Sequence, residues 1–509
     1  MQFLPKLITR LNITIFLLLI QIVLVIIFLF QFIYLLPIIS VASYIISFLI
    51  LLFLVKKDIE SDYKTIWVIA IMGLPILGGV FYLMFRNNHL SSKITNKIFA
   101  EHELITAELE KKRRASTREL IDSPRRESFF DYIENDSSYV VYRNVDCRYF
   151  SFGQEMFADM LNEIEKAEKY IFLEYFILSE SQMLELLIEK LSQKAAQGVD
   201  VRLIYDDIGS HKLFTNSFVA LLKDKGIKTV RFNPFVPFIS VIMNHRDHRK
   251  ILVIDGKIAF NGGMNIGDEY INRKKRFGVW KDTGVRLKGE AVTSFTMMFI
   301  ESWNSFCKKD ERITGLADFS SAPLLEERAG LVVPYGDTPL DNEPLSENIY
   351  IDILNQAKDY VYIFTPYLII SEKMTYALKM AAKRGVDVRI ATPGIPDKRM
   401  VYRLTRSYYR YLLPSGIKIY EYTPGFLHAK NFLSDDKIAV VGTINMDFRS
   451  LHLHFECATL MYKTSTIADI KQDMLETFEV SKQVSQAKKK REFWHELVDA
   501  ILHLFAPML

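Results

Sequence analysis

One set of polar residues occurs twice in this chain at identical offsets, and the repeat limits what the chain can fold into. The first copy is His248, Lys250, Asp255, Gly262, Gly263 and Asn265; the second is His428, Lys430, Asp435, Gly442, Thr443 and Asn445. A lone His-x-Lys carries little meaning. Two full matches at equal spacing, inside hydrophobic strands, are hard to explain by packing and imply one site built from two related halves.

Local geometry supports that reading. Residues two apart in a strand share a face, so His248 projects with Lys250 and His428 with Lys430. The first strand continues as Ile251-Leu-Val-Ile into Asp255-Gly256, a hairpin signal, and returns as Ile258-Ala-Phe. The second turns at Ser434-Asp-Asp-Lys437 and returns as Ile438-Ala-Val-Val. Each hairpin thus carries an imidazole, an ammonium and a carboxamide toward one end of a sheet. Those groups suit a phosphate, with lysine supplying charge and asparagine neutral donors.

The repeat extends upstream. Gly198-Val-Asp-Val-Arg-Leu-Ile204 matches Gly385-Val-Asp-Val-Arg-Ile-Ala391, each after a helical run ending in Ala-Ala. Tyr170-Ile-Phe-Leu-Glu-Tyr-Phe176 stands where Val361-Tyr-Ile-Phe-Thr-Pro-Tyr367 stands in the second half. Strands alternating with helices predict an α/β sandwich in each half, with both motifs meeting about a pseudo-twofold axis.

These paired motifs resemble the phospholipase D superfamily. The stretches Arg231-Phe-Asn-Pro, Asn244-His-Arg-Asp-His-Arg-Lys-Ile-Leu-Val-Ile-Asp-Gly and Gly262-Gly-Met-Asn-Ile-Gly-Asp-Glu-Tyr270 are similar to bacterial cardiolipin synthases. So are Trp280-Lys-Asp-Thr283, Thr365-Pro-Tyr367, Tyr420-Glu-Tyr422 and Asn445-Met-Asp-Phe-Arg-Ser450. The resemblance spans essentially the whole chain. It departs from the family's Gly-Ser at Gly263 and Thr443; only Thr443 keeps a hydroxyl.

The resemblance implies transfer of a phosphatidyl group between two phosphatidylglycerols, giving cardiolipin and glycerol through a phosphohistidine. His248 is then the nucleophile and His428 the acid/base, with the near symmetry leaving their order open. The catalytic set is His248, Lys250, Asp255, His428, Lys430 and Asp435. Within it Asp255 and Asp435 sit at the hairpin turns and fit turn-forming roles better than proton transfer. Asn265 and Asn445 are expected to bind substrate phosphate oxygens. Glu456, eleven residues past Asn445, is expected to orient a catalytic histidine, and Asp282 to play that part in the first half. A hydrolase using water as acceptor, a nucleic-acid phosphodiesterase and an inactive scaffold are the alternatives. No cofactor and no metal is expected. The expected partners are phosphatidylglycerol, cardiolipin and the lipid bilayer, with no nucleic acid.

The N-terminal composition points to a membrane. Leu11 to Val55 carries no charged residue over 45 positions, too long for one span of about 20 residues. Pro37 divides it into expected spans near Ile13–Leu36 and Ile38–Val55, and a third apolar run, Thr65–Phe85, holds glycines and a proline that allow a kinked or re-entrant helix. The basic Lys111-Lys-Arg-Arg114 beyond it suggests a cytoplasmic catalytic part in a bacterial cell membrane, multi-pass. The expected organisation is a transmembrane anchor at 1–88, a charged helical linker at 89–135, a first phospholipase D-like half at 136–325 and a second at 326–509 ending in an amphipathic helix.

The remaining features are less specific. A net charge of +4 does not itself point to nucleic acid. Cys147, Cys307 and Cys457 have neither zinc spacing nor a disulfide framework. His452 and His454, read as alternating on a strand, are assigned structural roles. Arg399, Arg403, Arg406 and Arg410 fall on one helical face and suit an anionic lipid surface, with an ion-paired face as the alternative.

Overall fold

The computed structural model describes residues 19–28, 37–57, 61–85, 92–120, 128–137, 139–234, 245–319, 325, 328–341, 343–485, 493–504 and 506. The chain forms two compact units. One comprises Met1–Leu90, Phe235–Met243 and Ala500–Pro507; the other comprises Ser91–Pro234, Asn244–Asp499 and Met508–Leu509.

The smaller unit contains helices Pro37–Lys56, Ser61–Gly73 and Pro75–Phe85. Leu54, Trp67, Ile71 and Tyr82 form its small core, with Trp67 and Tyr82 edge to face at 5.5 Å. The third apolar run is therefore two helices meeting at Leu74, not one straight rod. A Cβ on Gly78 would sit 2.1 Å from the Ala70 carbonyl oxygen, so glycine permits this close turn. Most of the expected span at Ile13–Leu36 lies outside the described residues. Among the described residues no helix is long and apolar enough to cross a membrane, the side chains at 37–40 and 42 lying outside them.

The larger unit holds two mixed sheets with the same strand order. The first runs Asp146–Phe150, Gly284–Lys288, Ile258–Gly262, Lys250–Ile254, Tyr170–Tyr175, Asp200–Asp206, Ile227–Phe232. The second runs Leu331–Asp337, Glu456–Tyr462, Ile438–Gly442, Asn431–Ser434, Tyr360–Phe364, Asp387–Pro393, Lys418–Tyr422, and adds Lys482–Gln483 at its edge. In each, three parallel strands join an antiparallel set through the strand that follows the His-x-Lys segment. Central strands such as Tyr170–Tyr175 and Tyr360–Phe364 are buried throughout, as strands covered on both faces must be.

The repeated Gly-Val-Asp-Val-Arg stretch has a mechanical basis. Helices Gln182–Ala196 and Glu372–Lys383 begin at Ser181 and Ser371, whose hydroxyls accept from the amides of Leu184 and Met374. Gly198 and Gly385 follow their C-termini with φ of 92° and 96°, a left-handed cap that glycine adopts without strain. The chain then enters the next parallel strand.

Ser92–Leu120 lies where a charged linker was expected. It docks on helix Val292–Phe306. Glu101 accepts from Asn304 at 3.2 Å and pairs with Arg312 at 2.6 Å, while Ile98, Ile105 and Leu109 are buried. The charge pattern hid one apolar face.

Candidate active site

Both hairpins turn on an aspartate in left-handed backbone, Asp255 and Asp435, each with φ of 53°. Asp255 accepts from the backbone amides of Glu168, Lys169 and Tyr170 at 2.7–2.9 Å. Asp435 accepts from those of Lys358, Asp359 and Tyr360 at 2.8–3.0 Å. Their carboxylates thus clamp the start of the neighbouring strand at the far end of each hairpin. This corrects their inclusion in the catalytic set: the fixed offset reflects turn chemistry shared by both copies.

The other ends of the hairpins meet. The backbone N–H of His248 donates to Phe455 O at 2.9 Å, and that of His428 donates to Lys281 O at 2.8 Å. Phe455 immediately precedes Glu456, and Lys281 immediately precedes Asp282. Strands Val279–Lys281 and Gly425–Leu427 pair in parallel beside this junction. The main chain therefore carries each carboxylate to the opposite half. Nδ1 of His248 lies 2.8 and 2.9 Å from the two Glu456 oxygens, and Nδ1 of His428 lies 2.6 Å from Oδ2 of Asp282. Asp282 thus serves the second-half histidine, not the first as sequence order suggested.

Each carboxylate has its own support. Thr443 Oγ1 donates to Oε2 of Glu456, and Ser450 Oγ donates to Oε1 at 2.6 Å. Asp282 accepts from Trp280 Nε1 at 3.3 Å and from the Thr283 amide at 3.2 Å. Gly263, the departure from Gly-Ser, has a geometric cause. A Cβ there would stand 2.1 Å from Oδ1 of Asp282 and 3.1 Å from the His428 carbonyl oxygen. The contact of Ser450 was not assigned from sequence, where its place in the Asn445-Met-Asp-Phe-Arg-Ser450 stretch was the available signal; for Thr443 the signal was the hydroxyl it keeps in the Gly442-Thr443 pair.

The histidines, their carboxylates and both lysines are buried. With Nδ1 facing a carboxylate, each ring keeps its proton there and turns the lone pair of Nε2 outward. Burial lowers His248 well below its ordinary pKa, and Lys250, Lys430 and His428 add to the effect. Burial and Lys430 bring His428 down to about 4, against the opposing pull of Asp282. Burial brings Lys250 to about 8 and Lys430 to about 7. The lysine ammonium groups donate to the carbonyls of His248 and His428 respectively. Phe176 packs edge-on to His248 at 5.2 Å, while Trp280 and Tyr270 flank His428 at 5.3 and 5.7 Å. The combination is a buried, cation-rich site with two neutral imidazoles, suited to one phosphodiester anion.

The two asparagines differ. Asn265 Oδ1 accepts from the Ile177 amide at 3.1 Å and its Nδ2 donates to Tyr270 Oη at 3.0 Å. It thereby fixes the Tyr270 ring. Asn445 is buried and its Oδ1 has no hydrogen-bond partner. His452 ends helix Phe448–His452 and His454 precedes strand Glu456–Tyr462, so the two do not alternate on a strand. The arginine stripe on helix Arg399–Leu412 is largely engaged: Arg403 pairs with Asp499 at 2.8 Å, Arg406 with Glu421 at 2.8 Å, and Arg410 covers the Tyr411 ring. The ion-paired reading holds for Arg403 and Arg406.

Comparison with known proteins places these features in context. Residues 160–299 and 350–479 match the family described as "Cardiolipin synthase, PLD-like domain", and residues 42–87 match "Phospholipase_D-nuclease N-terminal". A cardiolipin synthase of Alkalihalophilus pseudofirmus is 34% identical over 446 residues, covering 87% of this chain and 88% of that protein. One from Geobacillus thermodenitrificans is 33% identical over 467 residues, covering 91% and 92%. Among solved structures, the phosphatidylserine synthase of Haemophilus influenzae Rd KW20 aligns with a TM-score of 0.54 at 16% identity, covering 71% of this chain and 93% of that one. That likeness is one of fold.

Proposed function

This chain belongs to the cardiolipin synthase family of phospholipase D-like enzymes, and we propose that it transfers a phosphatidyl group from one phosphatidylglycerol to another, releasing glycerol. The observation that carries this reading is the pair of buried histidine–carboxylate contacts made across the two halves around Lys250 and Lys430.

Nε2 of His248 attacks phosphorus of the first lipid, forming a P–N bond as the P–O bond to the headgroup glycerol breaks. Protonated His428 gives its proton to the departing alkoxide. The hydroxyl of a second phosphatidylglycerol then attacks phosphorus and yields its proton to His428, while the P–N bond breaks and restores His248. Two histidines thus divide one difficult displacement into two easier ones. Lys250, Lys430 and the amide of Asn445 stabilise the charge on the non-bridging oxygens. An entering phosphodiester monoanion opposes the effects of burial and the lysines on His428, so substrate binding and protonation of His428 are coupled.

The acceptor is a second lipid hydroxyl in this reading, and the site works at a bilayer. Apolar Phe48, Leu49, Leu52 and Phe53 are exposed on helix Pro37–Lys56, which supports insertion of the N-terminal segments in the bacterial cell membrane as a multi-pass anchor. The basic segment after them supports a cytoplasmic catalytic part.

The test is to incubate the detergent-solubilised full chain with phosphatidylglycerol and identify the products. Cardiolipin with one glycerol released per cardiolipin is expected. Phosphatidic acid as the sole lipid product would replace the synthase reading by a hydrolase. His248→Ala and His428→Ala should each abolish turnover, and a phosphate label should be trapped on the wild-type chain but not on His248→Ala.

A further inference from the structure

His454 takes no part in that reaction, yet it stands beside the His248–Glu456 pair. Its Nδ1 is 3.8 Å from Oε1 of Glu456, and its ring centroid is 5.6 Å from that of His248. The residue is only 9% exposed, and neither ring nitrogen has a hydrogen-bond partner. Buried polar side chains are ordinarily satisfied, so an imidazole with two unpartnered nitrogens calls for an explanation.

The other half shows what a supporting residue does at this place. Trp280 lies two residues before Asp282, as His454 lies two before Glu456, and Trp280 donates its indole N–H to that carboxylate. His454 does not do the same for Glu456, which takes its hydrogen bonds from His248, Thr443 and Ser450. The two halves part company here.

We propose that His248, His454 and Glu456 form a binding site for zinc or a similar late transition cation, and that filling it silences the enzyme. One ligand atom from each residue lies within 4.8 Å of the others. Tetrahedral zinc with ligand bonds near 2.0–2.1 Å separates its donors by about 3.3 Å, so the 2.8 Å contact of His248 with Glu456 must open by about 0.5 Å while His454 moves in by up to roughly 1.5 Å. His454 sacrifices no side-chain hydrogen bond in turning toward its neighbours. Two imidazoles and one carboxylate are an ordinary zinc donor set, whereas magnesium and calcium require oxygen ligands.

The silencing follows from tautomers and rests on the reading of His248 as nucleophile; the cation site itself does not. A cation at Nδ1 takes that lone pair, and the single ring proton moves from Nδ1 to Nε2. No proton is gained or lost. Nε2 then lacks the lone pair that attacks phosphorus. A bound cation also draws Glu456 away from orienting the ring.

The experiment uses the full chain in detergent, titrated with Zn²⁺ against a chromophoric chelator and with Co²⁺ by visible absorption. One ion per chain is expected, with affinity about tenfold or more weaker in His454→Ala and His454→Asn and retained in His454→Cys, whose thiolate is a zinc ligand. Zn²⁺ should inhibit turnover over the range in which the site fills, Mg²⁺ should not compete, and chelator should restore activity. The half-inhibitory concentration should shift in His454→Ala by the same factor as the affinity. Absence of stoichiometric binding, or binding indifferent to residue 454, overturns the site and leaves the phosphohistidine reading untouched. Stoichiometric binding with undiminished turnover keeps the site but overturns the silencing, and with it the assignment of His248 as nucleophile.

Discussion

Oδ2 of Asp282 stands 2.6 Å from Nδ1 of His428, a contact reaching from one half of the chain into the motif of the other. Glu456 makes the reciprocal contact to His248 at 2.8 Å. Neither half alone holds an oriented histidine. Docking of the halves therefore completes the chemistry as well as the fold, because the same backbone bonds that join them deliver the carboxylates.

Removing the charge from either positioning carboxylate should cost activity without unfolding the chain. An amide can donate as well as accept and no longer fixes the tautomer, so Asp282→Asn and Glu456→Gln should each lower kcat by about 10²-fold or more. The two should separate with a donor whose leaving group is an acidic nitrophenol. That donor needs no acid, so Asp282→Asn should regain phosphoenzyme formation while Glu456→Gln should not. Equal rescue of both variants would show that the crossed pairing does not divide the roles.

Anion binding should weaken as pH rises through the lysine pKa values. Lys430 is held near 7 and Lys250 near 8, both lowered first by burial. A lowered ammonium pKa means that each charge is fully present below these values and lost above them. Diethyl phosphate stays a monoanion over this range, so its affinity should be highest below pH 7 and fall in two overlapping steps toward pH 9. Lys430→Met should remove the lower step. A flat binding profile between pH 6 and 9 would mean that neither lysine touches the anion.

Much of this arrangement was legible in the sequence because it is local and repeated. The equal offsets from His248 and His428 identified the hairpins, and Gly198 and Gly385 marked equivalent strand entries. The third parallel strands, Ile227–Phe232 and Lys418–Tyr422, were not read as repeat elements, since their side chains share little pattern. The crossed pairing of Asp282 and Glu456 was hidden for a different reason. Sequence order assigns a residue to its own half, whereas the partner of a histidine is decided by which strand lies beside it. The turn aspartates mislead in the opposite sense: Asp255 and Asp435 repeat faithfully because three backbone amides need them.

The positions that break the symmetry should respond differently to substitution. Gly263→Ser should lower kcat by about tenfold or more, because its Cβ displaces the carboxylate that orients His428 and misplacement of such groups is costly. Thr443→Ser should keep most activity, since the hydroxyl to Glu456 remains, whereas Thr443→Val should lower kcat by about tenfold through loss of that donor. Lipid KM should change little in all three. If Gly263→Ser turns over like the parent chain, the close approach of Asp282 is relieved without consequence for His428.

The junction between the halves should also depend on Lys281. Its side chain is 2% exposed, and its ammonium lies 2.6 Å from Oδ1 of Asp473 and donates to the Ser151 carbonyl at 3.1 Å. Asp473 accepts in addition from Tyr149 Oη at 2.7 Å, and Asn431 donates to the same hydroxyl at 2.9 Å. Lys281→Met leaves a buried carboxylate without its cation and should destabilise the larger unit by about 3 kcal/mol. Lys281→Met combined with Asp473→Asn removes both charges and keeps an acceptor for Tyr149, so it should recover most of that loss. Urea unfolding of the full chain, followed by intrinsic tryptophan fluorescence, reads both effects. The Lys281 carbonyl receives the His428 and Ala429 amides, so Lys281→Met should lose turnover at urea concentrations below its main unfolding transition. A single variant as stable as the parent would show that the pair does not hold the halves together.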